Sequence, residues 1–97
     1  MRQVMVRYKV KPERAEENEQ LVRAVYDELA ASEPDGLRYA TFRLEDGVTF
    51  VHVATVEGEH NPRAGVEAFA RFQAGIRDRC DEPPVATAAH TIGSYRL

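Results

Sequence analysis

A histidine, His52, sits in the stretch "EDGVTFVHVAT" (residues 45–55) among Val48, Phe50, Val51 and Val53. An imidazole changes charge near neutral pH, so at such a place it serves as a general base, a ligand contact or a hydrogen-bond partner. Its neighbours decide among these. Asp46-Gly47 is a hairpin signal of the type I′ kind, which takes positive φ at both central residues. A loop that tight sets the register: Glu45 faces Val48, Arg43 faces Phe50, Thr41 faces His52 and Tyr39 faces Ala54. Alternate side chains share a face, so Tyr39, Thr41, Arg43, Phe50 and His52 gather on one side of the hairpin. His52 and Tyr39 are the candidate catalytic pair. Thr41, Arg43 and Phe50, with Phe69 and Phe72 from a later segment, are the candidate lining of a ligand pocket. No acidic residue stands at a neighbouring position to orient the imidazole. The competing interpretation is an interface histidine bonded to Thr41 or to a second chain.

Other reactive residues carry less. The three histidines, at 52, 60 and 90, follow no metal-binding spacing, and no metal site is expected. Cys80 ends a helical pattern and is followed by Asp81 and Glu82. The helix dipole and the acids both oppose a thiolate there, so Cys80 is structural. Tyr39 and Tyr95 are phenols able to bond a substrate oxygen or to pack at an interface. "DGVTFVHV" loosely follows the glycine-aromatic spacing of an RNA-binding strand. Valines occupy two of the expected stacking positions and no basic cluster accompanies them.

The elements that position these residues follow from periodicity. Residues 3–10 alternate, with Val4, Val6, Tyr8 and Val10 on one side, and form a strand. Pro12 opens a helix in which Leu21, Val22, Val25 and Leu29 make an apolar stripe, and Pro34-Asp35-Gly36 ends it. Residues 37–45 and 48–56 form the hairpin. Its second face, with Ala40, Phe42, Leu44, Thr49, Val51 and Val53, is almost entirely apolar and is expected to pack on the helices. The mixed face with His52 is then left for another subunit or a ligand. Asn61 and Pro62 suit the start of a second helix, with Val66, Phe69, Gln73 and Ile76 as its stripe and Phe72 and Cys80 flanking. Gly65 and Gly75 either allow close packing or divide this helix in two. Residues 81–84 read as a loop and residues 85–97 as a last strand carrying His90. The order β-α-β-β-α-β gives an α+β, ferredoxin-like antiparallel sheet with helices on one face.

The chain has 97 residues and reads as a single domain, residues 1–97, with a thin core that oligomerisation would thicken. A net charge of −3 argues against a nucleic-acid partner, which requires a basic surface. One cysteine excludes an intrachain disulfide. No apolar run is long enough to span a membrane, and the start lacks a signal-peptide core. These features lead to the expectation of a cytoplasmic protein.

With this order in place, "VRYKVKPERAEENEQLVRAVYDEL", "LRYATFRLEDGVTFVHVATVEG" and the final "GSYRL" together resemble the antibiotic-biosynthesis-monooxygenase-like family of dimeric α+β barrels. The resemblance spans nearly the whole chain and is one of fold pattern. It implies a homodimer whose sheets meet face to face with helices outside, and a small apolar, aromatic or polyketide-like ligand. It implies no bound cofactor for the members that oxidise polycyclic aromatics; others degrade haem. The chain departs from these members in two ways. It has no tryptophan, a residue that recurs in their sites, and its second helix has Phe69, Phe72 and Gln73 but no histidine to bind haem iron. Two functions are therefore carried forward: a monooxygenase-like oxidoreductase, and a non-catalytic binding or stress-associated barrel.

Overall fold

Period-two alternation makes β1 (Arg2–Val10) in a computed structural model that describes residues 2–58 and 65–96. Pro12 presets the φ of a short 3-10 turn (Pro12–Arg14), and α1 (Ala15–Ser32) continues from it. Glu16 and Glu17 lie in its first turn, where the helix dipole favours negative charge. The helix ends on Glu33, left-handed at φ 46°, before Pro34.

Strands β2 (Leu37–Arg43) and β3 (Thr49–Val56) pair in the expected register, with Tyr39 opposite Ala54, Thr41 opposite His52 and Arg43 opposite Phe50. The turn between them is not type I′. Gly47 alone has positive φ (78°), and its N–H donates to the Leu44 carbonyl at 2.9 Å. Asp46 holds the reversal instead through its carboxylate. It accepts from the Val48 N–H (3.0 Å), the Thr49 N–H (2.9 Å) and the Thr49 hydroxyl. The register survives because the Leu44 N–H still bonds the Thr49 carbonyl at 2.8 Å.

The second helical segment is divided into α2 (Glu67–Gln73) and α3 (Ile76–Arg79), with Gly75 left-handed at φ 74° between them. Asn61, Pro62 and His60 lie outside the described residues. Within them α2 begins at Glu67, and its first amides are capped from another helix. The Glu28 carboxylate of α1 accepts from the N–H groups of Glu67 (3.1 Å) and Ala68 (3.0 Å). Phe72 rather than Gln73 faces the core; Gln73 is exposed.

Strand β4 (Cys80–Ala88) begins where a loop was expected and ends before His90. Its prolines, Pro83 and Pro84, are tolerated because β4 is an edge strand with one partner. Register shifts against β1 around Lys9 absorb the extra residues. The sheet order is β2-β3-β1-β4, all antiparallel between neighbours. With α1, α2 and α3 on one face, this is the ferredoxin-like α+β arrangement.

The two faces of the sheet are exchanged relative to expectation. His52, only 4% exposed, lies under the helices with Tyr8, Val10 and Phe50. The face assigned to the helices is the open one: Met5, Phe42 and Val85 are 44%, 54% and 62% exposed. Hydrophobicity alone chose wrongly because the helices bring polar groups of their own. Asn18 and Tyr26 bond Tyr8 and Thr41 of that sheet face, and Arg79 bonds Asn18 from behind, so the face matches them better than a purely apolar one.

Candidate functional site

The stripe of α1 extends one turn further toward the N-terminus than its apolar residues do, and the position it reaches is Asn18. Asn18, Val22, Val25 and Leu29 are spaced four, three and four apart, which puts an amide in the core-facing row. Asn18 is fully buried there. On β1, Tyr8 continues the inward row of Val4 and Val6. Its hydroxyl receives a hydrogen bond from Asn18 Nδ2 at 2.9 Å and lies 2.8 Å from His52 Nε2.

On the other side of the imidazole, Nδ1 lies 2.7 Å from the Tyr39 hydroxyl and 3.1 Å from Thr41 Oγ1. Thr41 in turn shares a 2.7 Å bond with the Tyr26 hydroxyl of α1. Behind Asn18, the Arg79 guanidinium donates through Nε to Asn18 Oδ1 at 3.1 Å. Its other nitrogens donate to the carbonyls of Ala74 (3.0 Å) and Phe72, at the C-terminal end of α2. A buried cation there is stabilised by the negative pole of the helix and by the Phe72 ring, 5.5 Å from Cζ. Burial nevertheless pulls the Arg79 guanidinium below its usual value, partly offset by Glu17. One polar row thus crosses the molecule: Arg79, Asn18, Tyr8, His52, then Tyr39 and Thr41, then Tyr26. Among the described residues no buried side-chain nitrogen or oxygen lacks a partner.

Aromatic rings enclose this row. Phe72 lies 5.2 Å from the His52 ring and 6.1 Å from Phe69; Phe50 stacks on Tyr8 at 5.6 Å, 8° from parallel. Burial raises the Tyr8 phenol far above its ordinary value, against the lowering effect of the Asn18 bond. Burial also raises Tyr26. Both are neutral hydrogen-bonding groups at neutral pH. Cys80 is buried and unpaired, and burial pushes its thiol up, so it is not a nucleophile.

The row reaches a groove between the end of α1 and β2. Its volume is about 470 Å³, and its walls are Leu29, Ala30, Pro34 and Leu37 with Glu33 and the two phenols Tyr26 and Tyr39. The Tyr26 and Tyr39 rings stack at 5.5 Å and 22°.

The structure therefore joins Tyr39 and Thr41 to His52, with Phe72 beside the imidazole, Phe69 beside Phe72 and Phe50 stacked on Tyr8. Arg43 is drawn elsewhere. Its guanidinium bonds Glu16 and Glu19 of α1, each at 2.9 Å, and the Gly47 carbonyl at 2.8 Å. It braces the hairpin. Of the expected site residues only Tyr39 lines the groove; Thr41, Arg43, Phe50, Phe69, Phe72 and His52 do not. His90 is exposed beyond β4, and Tyr95 is exposed. Among the described residues no group of histidine, cysteine and acidic side chains is placed to hold a metal ion. Sequence reasoning missed Tyr8, Asn18, Tyr26 and Arg79. For Asn18 and Arg79 a signal was present: each is a polar residue at a core-facing helical spacing, Arg79 three after Ile76 and seven after Phe72.

Fold and cluster together define the class: a ferredoxin-like α+β protein with a buried polar row between its sheet and helices, opening on an apolar groove. No family model and no curated protein matches the chain. Solved structures match it closely in shape. Rv0793 from Mycobacterium tuberculosis superimposes with a TM-score of 0.70 at 18% identity, over 96% of each chain. A structure named antibiotic biosynthesis monooxygenase gives 0.70 at 21% identity, over 96% of this chain and 100% of that one. PA3566 from Pseudomonas aeruginosa gives 0.74 at 15% identity, over 95% and 94%. The family resemblance read from the chain is matched by the name of the second of these, and at such identities what is shared is the fold.

Proposed function

We propose that this chain binds a small, largely aromatic molecule in the Tyr26–Tyr39 groove and oxidises it in a monooxygenase-like reaction. The observation that carries this is the double position of Tyr39. Its ring lines the groove, and its hydroxyl lies 2.7 Å from Nδ1 of the buried His52. A groove of about 470 Å³ with largely apolar walls and a few polar groups lies within the volume range of small-molecule sites. Stacked Tyr26 and Tyr39 offer aromatic faces to a planar ring. A hydrogen bond from Tyr39 to a substrate oxygen would stabilise the enolate or phenolate form, whose electrons can then pass to O2. In the simplest balance a ring CH2 and O2 become C=O and water, the substrate itself supplying the electrons. The fold shared with a structure named antibiotic biosynthesis monooxygenase supports the reading.

A second reading, a non-catalytic small-molecule-binding barrel, is favoured by the absence of tryptophan. The two separate in one experiment. Oxygen uptake is followed with a panel of anthrones and hydroxynaphthalenes, and groove-residue NMR shifts are followed with the same panel. Saturable uptake lost in Tyr39→Phe supports the enzyme. Shifts in the groove without uptake support the binding protein, and neither response refutes both.

The proposal includes a homodimer. The open sheet face carries Met5, Phe42, Val51, Val53 and Val85, with three of these strongly exposed in the single chain. Apolar area of that kind is what a second copy would cover. A cytoplasmic location is part of the same reading and accords with the unpaired Cys80 thiol. No described helix is long and apolar enough to cross a membrane.

A further inference from the structure

The walls of the Tyr26–Tyr39 groove differ in kind but share one electrical sign. Glu33 is the only charged residue among them. It closes α1 at φ 46° and ψ 57°, in the left-handed region where a β-carbon is crowded and glycine is the ordinary occupant. The residue that bears this strain is thus also a wall of the groove. The cations that pair with α1 do not reach it. Arg14, Arg23 and Arg43 are taken by Glu16, Glu17 and Glu19, nearer the start of the helix. The helix end adds to the same sign. Its last turn holds no basic residue, so nothing there offsets the negative pole. The Glu33 N–H satisfies the Leu29 carbonyl at 2.8 Å. The Ala30 carbonyl would take its helical bond from residue 34, which is proline and has no N–H to give. Leu29, Ala30 and Pro34 all line the groove. The third contribution is the pair of phenol rings, stacked at 5.5 Å, whose π-systems attract positive charge.

A carboxylate, an unneutralised helix C-terminus and two phenol rings disfavour an anion and favour a cation. One carboxylate is too few for a divalent metal ion, which takes roughly six or more oxygen ligands. Leu29, Pro34 and Leu37 favour an organic body instead. An ammonium group brings three N–H donors to a wall that offers acceptors. We infer that the groove selects a small aromatic amine, its ammonium held at the end of α1 by Glu33 and its ring lying against Tyr26 and Tyr39. This rests on the reading of the groove as a ligand site and names the ligand class. Glu33 is its specificity-determining residue, and the left-handed backbone keeps a carboxylate in the wall where glycine would be easier.

Titration calorimetry with one aromatic skeleton in three charge states tests this: naphthylethylamine, naphthylethanol and naphthylacetate. Glu33 is exposed, so its pull is that of a surface charge. An exposed ion pair and a cation–π contact together are expected to make the amine bind about tenfold more tightly than the alcohol. The acetate is expected to bind more weakly than either, and added salt to narrow the gap. Amide shifts at Leu29, Ala30 and Leu37 place the probe. Glu33→Gly separates ligand selection from structure. Glycine relieves the left-handed strain, so the melting temperature should rise while the preference for the amine falls to about threefold or less. Glu33→Gln should lose the same preference without the gain in stability. Equal affinity of the wild type for amine and alcohol overturns the inference and leaves the groove as a ligand site. So does a preference that Glu33→Gly leaves unchanged, or tight amine binding that shifts no groove amide. If none of the probes binds, the ligand-site reading falls and the inference with it.

Discussion

Tyr39 is the residue on which function is expected to turn. Tyr39→Phe removes one neutral hydrogen bond to a ligand, worth about 1 kcal/mol, so affinity for an acceptor-bearing aromatic should fall roughly 5–10-fold. Fold should be kept, since Thr41 remains 3.1 Å from His52 Nδ1; titration calorimetry beside a thermal melt checks both halves. His52→Ala is a different kind of change. It leaves the hydroxyls of Tyr8 and Tyr39 without their imidazole partner in the core, each at a cost of about 1–3 kcal/mol. The expected outcome is a destabilised protein whose self-association is unaltered, because His52 lies under the helices and not on the open face. Alkaline titration tests the same row. Tyr8 and Tyr26 hold their protons above the ordinary phenol value of 10.0, chiefly through burial. The folded chain thus binds protons that the unfolded chain releases, so this stabilisation is complete below pH 10 and is lost as pH climbs through the raised values. Phenolate absorbance should show part of the tyrosine signal appearing only as circular dichroism reports unfolding.

Two elements depend on a carboxylate supplied across a gap in the chain or within a turn. Helix α2 is only seven residues long and has no side-chain cap of its own; Glu28 of α1 takes that role. Glu28→Ala should cost about 1 kcal/mol in urea unfolding, the usual worth of an N-cap, and should raise amide exchange at Glu67 and Ala68 first. The hairpin turn depends on Asp46, whose carboxyl is held down at about 2 by the Thr49 hydroxyl and the amides of Thr49 and Val48. A depressed carboxyl contributes stability above its unfolded value of 3.8 and loses it as pH falls through the folded one. The acid limb of the stability profile should therefore flatten in Asp46→Asn, and an unchanged limb between the two proteins would show that the turn bonds contribute nothing. Much of this level was legible in the chain. The hairpin register and the end of α1 at Pro34 follow from local rules about proline, glycine and alternation; the division at Gly75 was one of two outcomes those rules left open. The start of α2 and the span of β4 did not, because a cap donated from α1 and an edge position beside β1 are both long-range facts.

At the scale of the molecule, one sheet face is satisfied within the chain and the other is not. Phe42→Glu on the open face places a charge where the second copy would sit. The variant should run as a monomer in sedimentation analysis while the wild type runs as a dimer, and its circular dichroism should be unchanged. A monomeric wild type would remove the barrel from the proposal and leave the groove and the buried row as they are. A 97-residue chain has a small core, and this one spends part of it on polar groups, which makes a covered apolar face a natural source of further burial.

The elements and their order are local properties, and the chain alone determined them: period-two strands, a three-four helical stripe, glycine and proline at the breaks, hence β-α-β-β-α-β and a ferredoxin-like sheet. It also placed Tyr39, Thr41 and His52 together, because hairpin register is a short-range matter. Which way the sheet faces was decided only in three dimensions. Hydrophobic patterning says that a face is to be buried and is silent on what buries it, and here both faces had cause to be covered. The choice was made by partners distant in sequence: Asn18 for Tyr8, Tyr26 for Thr41 and Arg79 for Asn18. A buried polar group accepts the neighbour that completes its hydrogen bonds over one that is merely apolar, and that preference becomes visible only when helix and sheet are in contact.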